Sequence, residues 1–257
     1  MDSGYYAACS GLVAQMQALD VTANNLANVS TTGYKSENEF YGALNASLAQ
    51  PAPADELNQA INRFGILGGD YVNMREGSLD PTGNQLDVAV EGSGFFVVQT
   101  PAGIRFTRSG HFHLNTQGQI ITSDGNPVLG QGGPIKLPGV GQIGPISLPP
   151  GAISISSDGT ISVNGSLAGR LSIVEMKPGT PLSPEGALYF SVPDNSAAPA
   201  ASSDVRQGVL EASNMNPIDG AIDLVTIQRN AETMMRAVSI FDNDFNKTAA
   251  EQIARVT

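Results

Sequence analysis

LDVTANNLANVSTTGYK, Leu19 to Lys35, sets an amphipathic period against residues that oppose it. Leu19, Ala23 and Leu26 recur at helical spacing, whereas Asn24, Asn25 and Asn28 are poor helix formers because an amide side chain competes for local backbone hydrogen bonds. Ser30, Thr31, Thr32 and Gly33 follow, residues suited to ending a helix and reversing a chain. Amides at the end of a helix gain stability only where a neighbouring backbone gives them partners.

The same period extends back towards the N-terminus. Tyr5, Cys9, Leu12, Met16, Leu19, Ala23 and Leu26 alternate spacings of four and three, the narrow seam of a coiled coil, and predict a helix over 3–28 with Gly33 as the chain reversal. The far end of the chain carries a second such pattern. Asn216 and Pro217 read as an N-cap and a first-turn proline, with Asp219 where the helix dipole favours a carboxylate. Leu224, Ile227, Ala231, Met234, Val238, Phe241 and Phe245 then recur at three and four, predicting a helix over 217–255, roughly 58 Å long at about 1.5 Å per residue.

Between the ends, short strands and turns take over. LDVAVEG and SGFFVVQT alternate or run apolar around Gly92 and Gly94, and ISISSDGTISVNG places Ile153, Ile155, Ile161 and Val163 about an Asp158-Gly159 turn, a hairpin pattern. Gly130 to Gly151 carries so many Gly and Pro that it reads as a surface loop. The fold class expected is mixed α and β: long N- and C-terminal helices pairing as a coiled-coil-like domain, with an inserted mainly-β central domain. The domain reading is 1–35 with 205–257 as a discontinuous helical assembly domain, 36–67 as connector, 68–190 as the β domain and 191–204 as a flexible linker.

Composition excludes several function classes. A net charge of −11 speaks against nucleic acid and against anionic membrane surfaces, both of which need surplus Lys and Arg. With 29 Gly, 16 Pro and only 14% charged residues in 257, many turns are required. The single cysteine, Cys9, cannot form an internal disulfide. The first thirty residues lack a basic n-region and an unbroken apolar stretch, so no cleavable signal peptide is expected, and no segment is apolar enough to insert in a bilayer.

No set of residues assembles chemistry. His111 and His113 alternate in HFH, as two metal ligands could, but no third ligand stands at a suitable spacing, and a surface strand pair is expected. Asp80, Asp87 and Asp124 border turns, where Asp bonds its own backbone, although a secreted glycan-acting enzyme would need only two carboxylates in a cleft. Gly68-Gly69 and Gly92-Ser93-Gly94 lack the spacing of a phosphate or dinucleotide loop. Asn28-Val29-Ser30 and Asn45-Ala46-Ser47 match a glycosylation pattern that means little without a secretory signal. An adhesin would need an exposed aromatic face, and nine Phe and six Tyr mostly at core-like alternation do not supply one. No catalytic residue, cofactor, metal or small-molecule substrate is expected.

LDVTANNLANVSTTGYK and QGVLEASNMNPIDGAIDLVTIQRNAE resemble the two ends of the bacterial flagellar basal-body rod and hook proteins. LDVAVEGSGFFVVQTPAGIRFTRSGHFHLNTQGQIITSDGNPVLGQGGPI resembles their central β domain, so the likeness covers nearly the whole chain. Tyr34 stands where phenylalanine is commoner in the family. The proximal-rod branch is the nearer match, with the distal-rod branch as the alternative.

The resemblance implies a structural subunit that is not an enzyme. Such subunits leave through the flagellar type III export apparatus without a cleaved signal peptide and polymerise beneath a rod cap beside other proximal and distal rod subunits. The product is the periplasm-spanning drive shaft of the basal body, which transmits torque and encloses the export channel. Mapped here, the implied assembly residues are Leu12, Met16, Leu19, Ala23 and Leu26 with Leu224, Ile227, Arg229, Ala231, Glu232, Met234, Val238 and Phe241. Asn24, Asn25, Asn28, Gly33, Tyr34 and Lys35 form the signature after the first helix.

Overall fold

The computed structural model describes residues 2–39, 70–138, 153–177, 179–193, 196–200 and 203–256. Most of the expected connector, 36–67, lies outside them, as does the later part of the Gly130 to Gly151 stretch.

Two long helices stand at the chain ends, α1 over Asp2–Ala27 and α2 over Pro217–Val256. The start of α2 follows from its capping residues: the Ile218 amide donates to Asn216 Oδ1 at 3.0 Å and the Gly220 amide to Asn216 O at 3.0 Å. These helices and the short strand Glu37–Glu39 fall in one compact unit, made of residues 1–27, 37–71 and 216–257.

The coiled-coil-like pairing is corrected here. On the expected seam Met16 is 56% exposed, and Ala23, Met234 and Phe241 are exposed as well. The apolar residues that α1 buries are small ones off that seam: Ala8, Ala14 and Ala18. Between them, a Cβ placed on Gly11 would lie 3.6 Å from Met234 Sδ of α2. Small side chains let two helix backbones approach closely, whereas a knobs-into-holes seam needs bulky residues buried in register, and Leu12, Leu19 and Leu26 are only half-buried. The fold class is corrected with it: a central region that is mostly sheet stands between one long helix at each end, without a coiled-coil pairing of those helices.

The second unit, 28–36 with 72–215, holds the sheets. Its largest is six-stranded and antiparallel, ordered Ser183–Glu185, Tyr189–Ser191, Gly103–Thr107, Gly94–Thr100, Ile173–Met176 and Ala197–Pro199. The last of these strands lies within the stretch read as a linker. Gly94–Thr100 is buried on both faces, which explains its unbroken apolar run. Phe96 faces one core cluster and meets Phe112 edge-on at 5.1 Å, while Phe95 faces the other and meets Phe190 at 5.8 Å.

Ile153–Ile155 pairs with Thr160–Val163 as the hairpin reading expects, and Ser166–Arg170 adds a third strand. Two smaller ladders bring late residues back to early ones. Asp204–Gln207 pairs with Val88–Glu91, and Val209–Glu211 pairs with Leu79–Pro81. The Gly130 to Gly151 stretch is not all surface, because Ile135 and Leu137 are buried in the core beside Ile120 and Val128. Pro and Gly interrupt the alternation there, which hid its core residues from a periodicity reading.

Candidate functional site

The amides at the end of α1 find the partners that their sequence demands. Asn25 is buried, donating from Nδ2 to Glu37 O at 2.7 Å and accepting from the Glu37 amide at Oδ1 at 2.9 Å. One side chain thus satisfies both backbone groups of a residue entering a strand, a two-point contact that Ala cannot make. Asn28 caps the turn that follows: Thr31 donates its amide to Asn28 O at 3.0 Å and its hydroxyl to Asn28 Oδ1 at 3.2 Å. Asn24 is exposed, so of the two amides at 24 and 25 it is Asn25 that is turned inward.

Gly33, Tyr34 and Lys35 are all buried in the β unit. The Gly33 amide donates to Glu211 O at 2.7 Å. Its φ is +73°, and a Cβ there would stand 2.3 Å from the Ser109 amide nitrogen, so conformation and space both require glycine. Two residues on, Lys35 Nζ donates to Glu211 Oε1 at 2.6 Å and to Arg75 O at 2.6 Å. Neither side chain is reached by solvent beyond 1%.

Arg108 completes the group. Its Nη1 lies 3.5 Å from Glu211 Oε2, its Nη1 and Nη2 donate to Val90 O at 3.1 Å and Gly92 O at 2.5 Å, and its guanidinium covers the Phe95 ring at 5.0 Å. The Gly77 amide donates to Glu211 Oε1 at 3.0 Å. Burial pushes the Lys35 ammonium below the ordinary lysine value, and the neighbouring Glu211 carboxylate pulls it only part of the way back. Arg108 is lowered for the same reason, opposed by Glu211 and then Glu76.

Glu211 and Arg108 were missed by reading for chemistry. The signal was present: each is a charge set in an apolar strand context, Glu211 after Val209 and Leu210, Arg108 after Phe106 and Thr107. Two buried opposite charges in one domain are expected to meet.

The helix residues of the implied assembly set are distributed differently. Leu12, Leu19 and Leu26 on α1 are half-buried, as are Leu224, Ile227 and Val238 on α2, and Ala231 is buried. Arg229 and Glu232 are exposed. On α2, Ile218, Ile222 and Val225 form a further apolar stripe at spacings of four and three, exposed by 70%, 59% and 47%.

The candidate chemical groups are engaged in turns. Asp87 accepts from Thr82 Oγ1 at 2.6 Å and Asn84 Nδ2 at 3.0 Å and meets His111 Nδ1 at 2.9 Å. Asp124 accepts from the Tyr189 hydroxyl at 2.6 Å. His111 and His113 stack edge to face, 4.5 Å between centroids. Among the described residues no group of three or more His, Cys, Asp or Glu side chains gathers as a metal cage, and no helix is long and apolar enough to cross a membrane.

Two family models match the chain, the flagella basal body rod protein over residues 6–35 and the flagellar hook protein FlgE/F/G D1 domain over 89–163. The flagellar basal-body rod protein FlgF of Caulobacter vibrioides is 31% identical over 261 residues, covering 100% of both chains. Its namesake in Salmonella typhimurium is 31% identical over 268 residues, 98% of each. The flagellar basal-body rod protein FlgG of Agrobacterium fabrum is 31% identical over 259 residues, 91% of this chain and 94% of its own. With likeness from end to end, at both the amide-bearing helix end and the central sheets, the chain belongs to the flagellar basal-body rod protein family.

Proposed function

We propose that this chain is a structural subunit of the flagellar basal-body rod, without catalytic activity, that polymerises through its terminal helices beside other rod subunits. The observation that carries this reading is the apolar surface on those helices. Val13 and Met16 on α1 and Ile218, Ile222, Val225 and Ile240 on α2 are exposed, which on two helices of one chain marks surface awaiting a partner. The family to which the chain belongs supplies the partner class, further rod subunits, of its own kind and of the neighbouring type.

In this reading residues 1–35 and 205–257 form the assembly region and the sheets form a separate outer layer. The helices line the tube around the export channel, and the tube crosses the periplasm as the drive shaft. The subunit travels through the type III export apparatus, without a cleaved signal peptide, and is placed beneath the rod cap. The proximal position is favoured over the distal one because the first relatives bear the FlgF name, although FlgG relatives reach the same identity.

Leu19→Asp tests the helix role. A carboxylate on that stripe should abolish incorporation of the chain into rods purified from cells, while circular dichroism of the β unit stays as in the parent. Rods carrying the variant at parental levels contradict the proposal.

A further inference from the structure

The geometry points to a register lock: Gly33 and Lys35 key the 28–36 segment into one seating against Val209–Glu211, and the buried Lys35–Glu211–Arg108 triad serves that selection.

The segment needs such a device. Ser30, Thr31 and Thr32 are small and polar, and Tyr34 is the one large apolar side chain the segment buries, so its packing alone specifies register weakly. Two of its backbone amides bond to the late part of the chain, Gly33 to Glu211 O at 2.7 Å and Ser36 to Asn214 Oδ1 at 2.8 Å. A backbone amide bonds as well from any residue, so neither contact alone rejects a slipped seating.

Gly33 and Lys35 do reject it. A slip of one residue brings Thr32 or Tyr34 to the place where a Cβ would lie 2.3 Å from the Ser109 nitrogen. The same slip withdraws the ammonium from Glu211 Oε1 and leaves a fully buried carboxylate facing a neutral side chain. The first key is steric and the second is charge, two residues apart on one strap.

Net stability is a poor reason for the triad. A buried ion pair rarely exceeds well-packed apolar side chains in its place, because desolvation offsets the attraction. This one is also incompletely bonded: among the described residues Arg108 Nε and Glu211 Oε2 have no hydrogen-bond partner. What a buried charge group does well is penalise every arrangement in which its members are parted.

The test uses the full chain in solution, so its result is independent of rod assembly. In the triple variant Lys35→Met, Arg108→Met, Glu211→Leu the denaturation midpoint should equal or exceed the parent's. With only the steric key left, the Gly33 and Ser36 amides should nevertheless exchange faster than in the parent or give more than one set of resonances. One set with parental exchange protection overturns the inference. Should the triple variant fail to fold, Lys35→Met alone decides. It should speed exchange at Gly33 and Ser36 by at least about a hundredfold, the scale of breaking a buried pair, with the Gly94–Thr100 amides little changed. Unchanged exchange at Gly33, or equal acceleration at every site, overturns the lock, the latter because it marks plain loss of stability.

Discussion

Glu211 is the residue on which most of the local arrangement converges. Its backbone carbonyl accepts from Gly33 and its carboxylate from Lys35 and Gly77, while Arg108 balances the charge from the other side. Glu211→Gln therefore leaves two buried cations without a counter-charge and should lower stability by about 3–5 kcal/mol, read from denaturant unfolding. Removing the exposed partner in Arg206–Glu91 should cost no more than about 1 kcal/mol, so the two variants measured together separate burial from charge. The same residues set a pH dependence. Lys35 is lowered in the folded chain from its ordinary 10.5, so between the two values the unfolded chain holds a proton that the folded chain has released. Stability attributable to this group then rises with pH across that window. Subtracting the pH profile of Lys35→Met from that of the parent should show the rise, and a flat difference contradicts it.

Among the elements, the two helices were legible where they begin and end but not in how they meet. Pro217 opens α2 as the capping residues predict, and α1 ends at Ala27, beside the amides that mark its end. The most deeply buried positions of α1 were not read because large residues were followed. Ala8, Ala14 and Ala18 carry the buried stripe, and small residues give hydrophobic periodicity its weakest signal. The central strands were legible where alternation is clean, as in Ile153 to Val163, and also in GFFVV, whose unbroken run reflects burial on two faces. The Lys35–Glu211–Arg108 group was out of reach in its pairing, since its members stand 176 residues apart at the extremes and no local pattern joins them. Exposed helix surface has a dynamic consequence. In free subunits the amides of residues 5–28 should exchange much faster than those of Gly94–Thr100, and assembly into rods should slow them; uniformly slow exchange in a free subunit contradicts this.

The whole molecule has a folded β unit that contains a buried charge group and two terminal helices with apolar surface exposed. Under the proposed function such a division suits export through a narrow channel followed by polymerisation, because the helices would gain further burial among neighbouring subunits. The central claim is that this chain is built into the flagellar rod. The measurement that tests it most directly is cryo-electron microscopy of intact basal bodies from cells producing the chain with a density-visible tag inserted at the exposed Gly186-Ala187 turn. The account predicts tag density on the rod, between the inner-membrane base and the hook. Basal bodies with complete rods and no tag density there, in cells that export the tagged chain, contradict it.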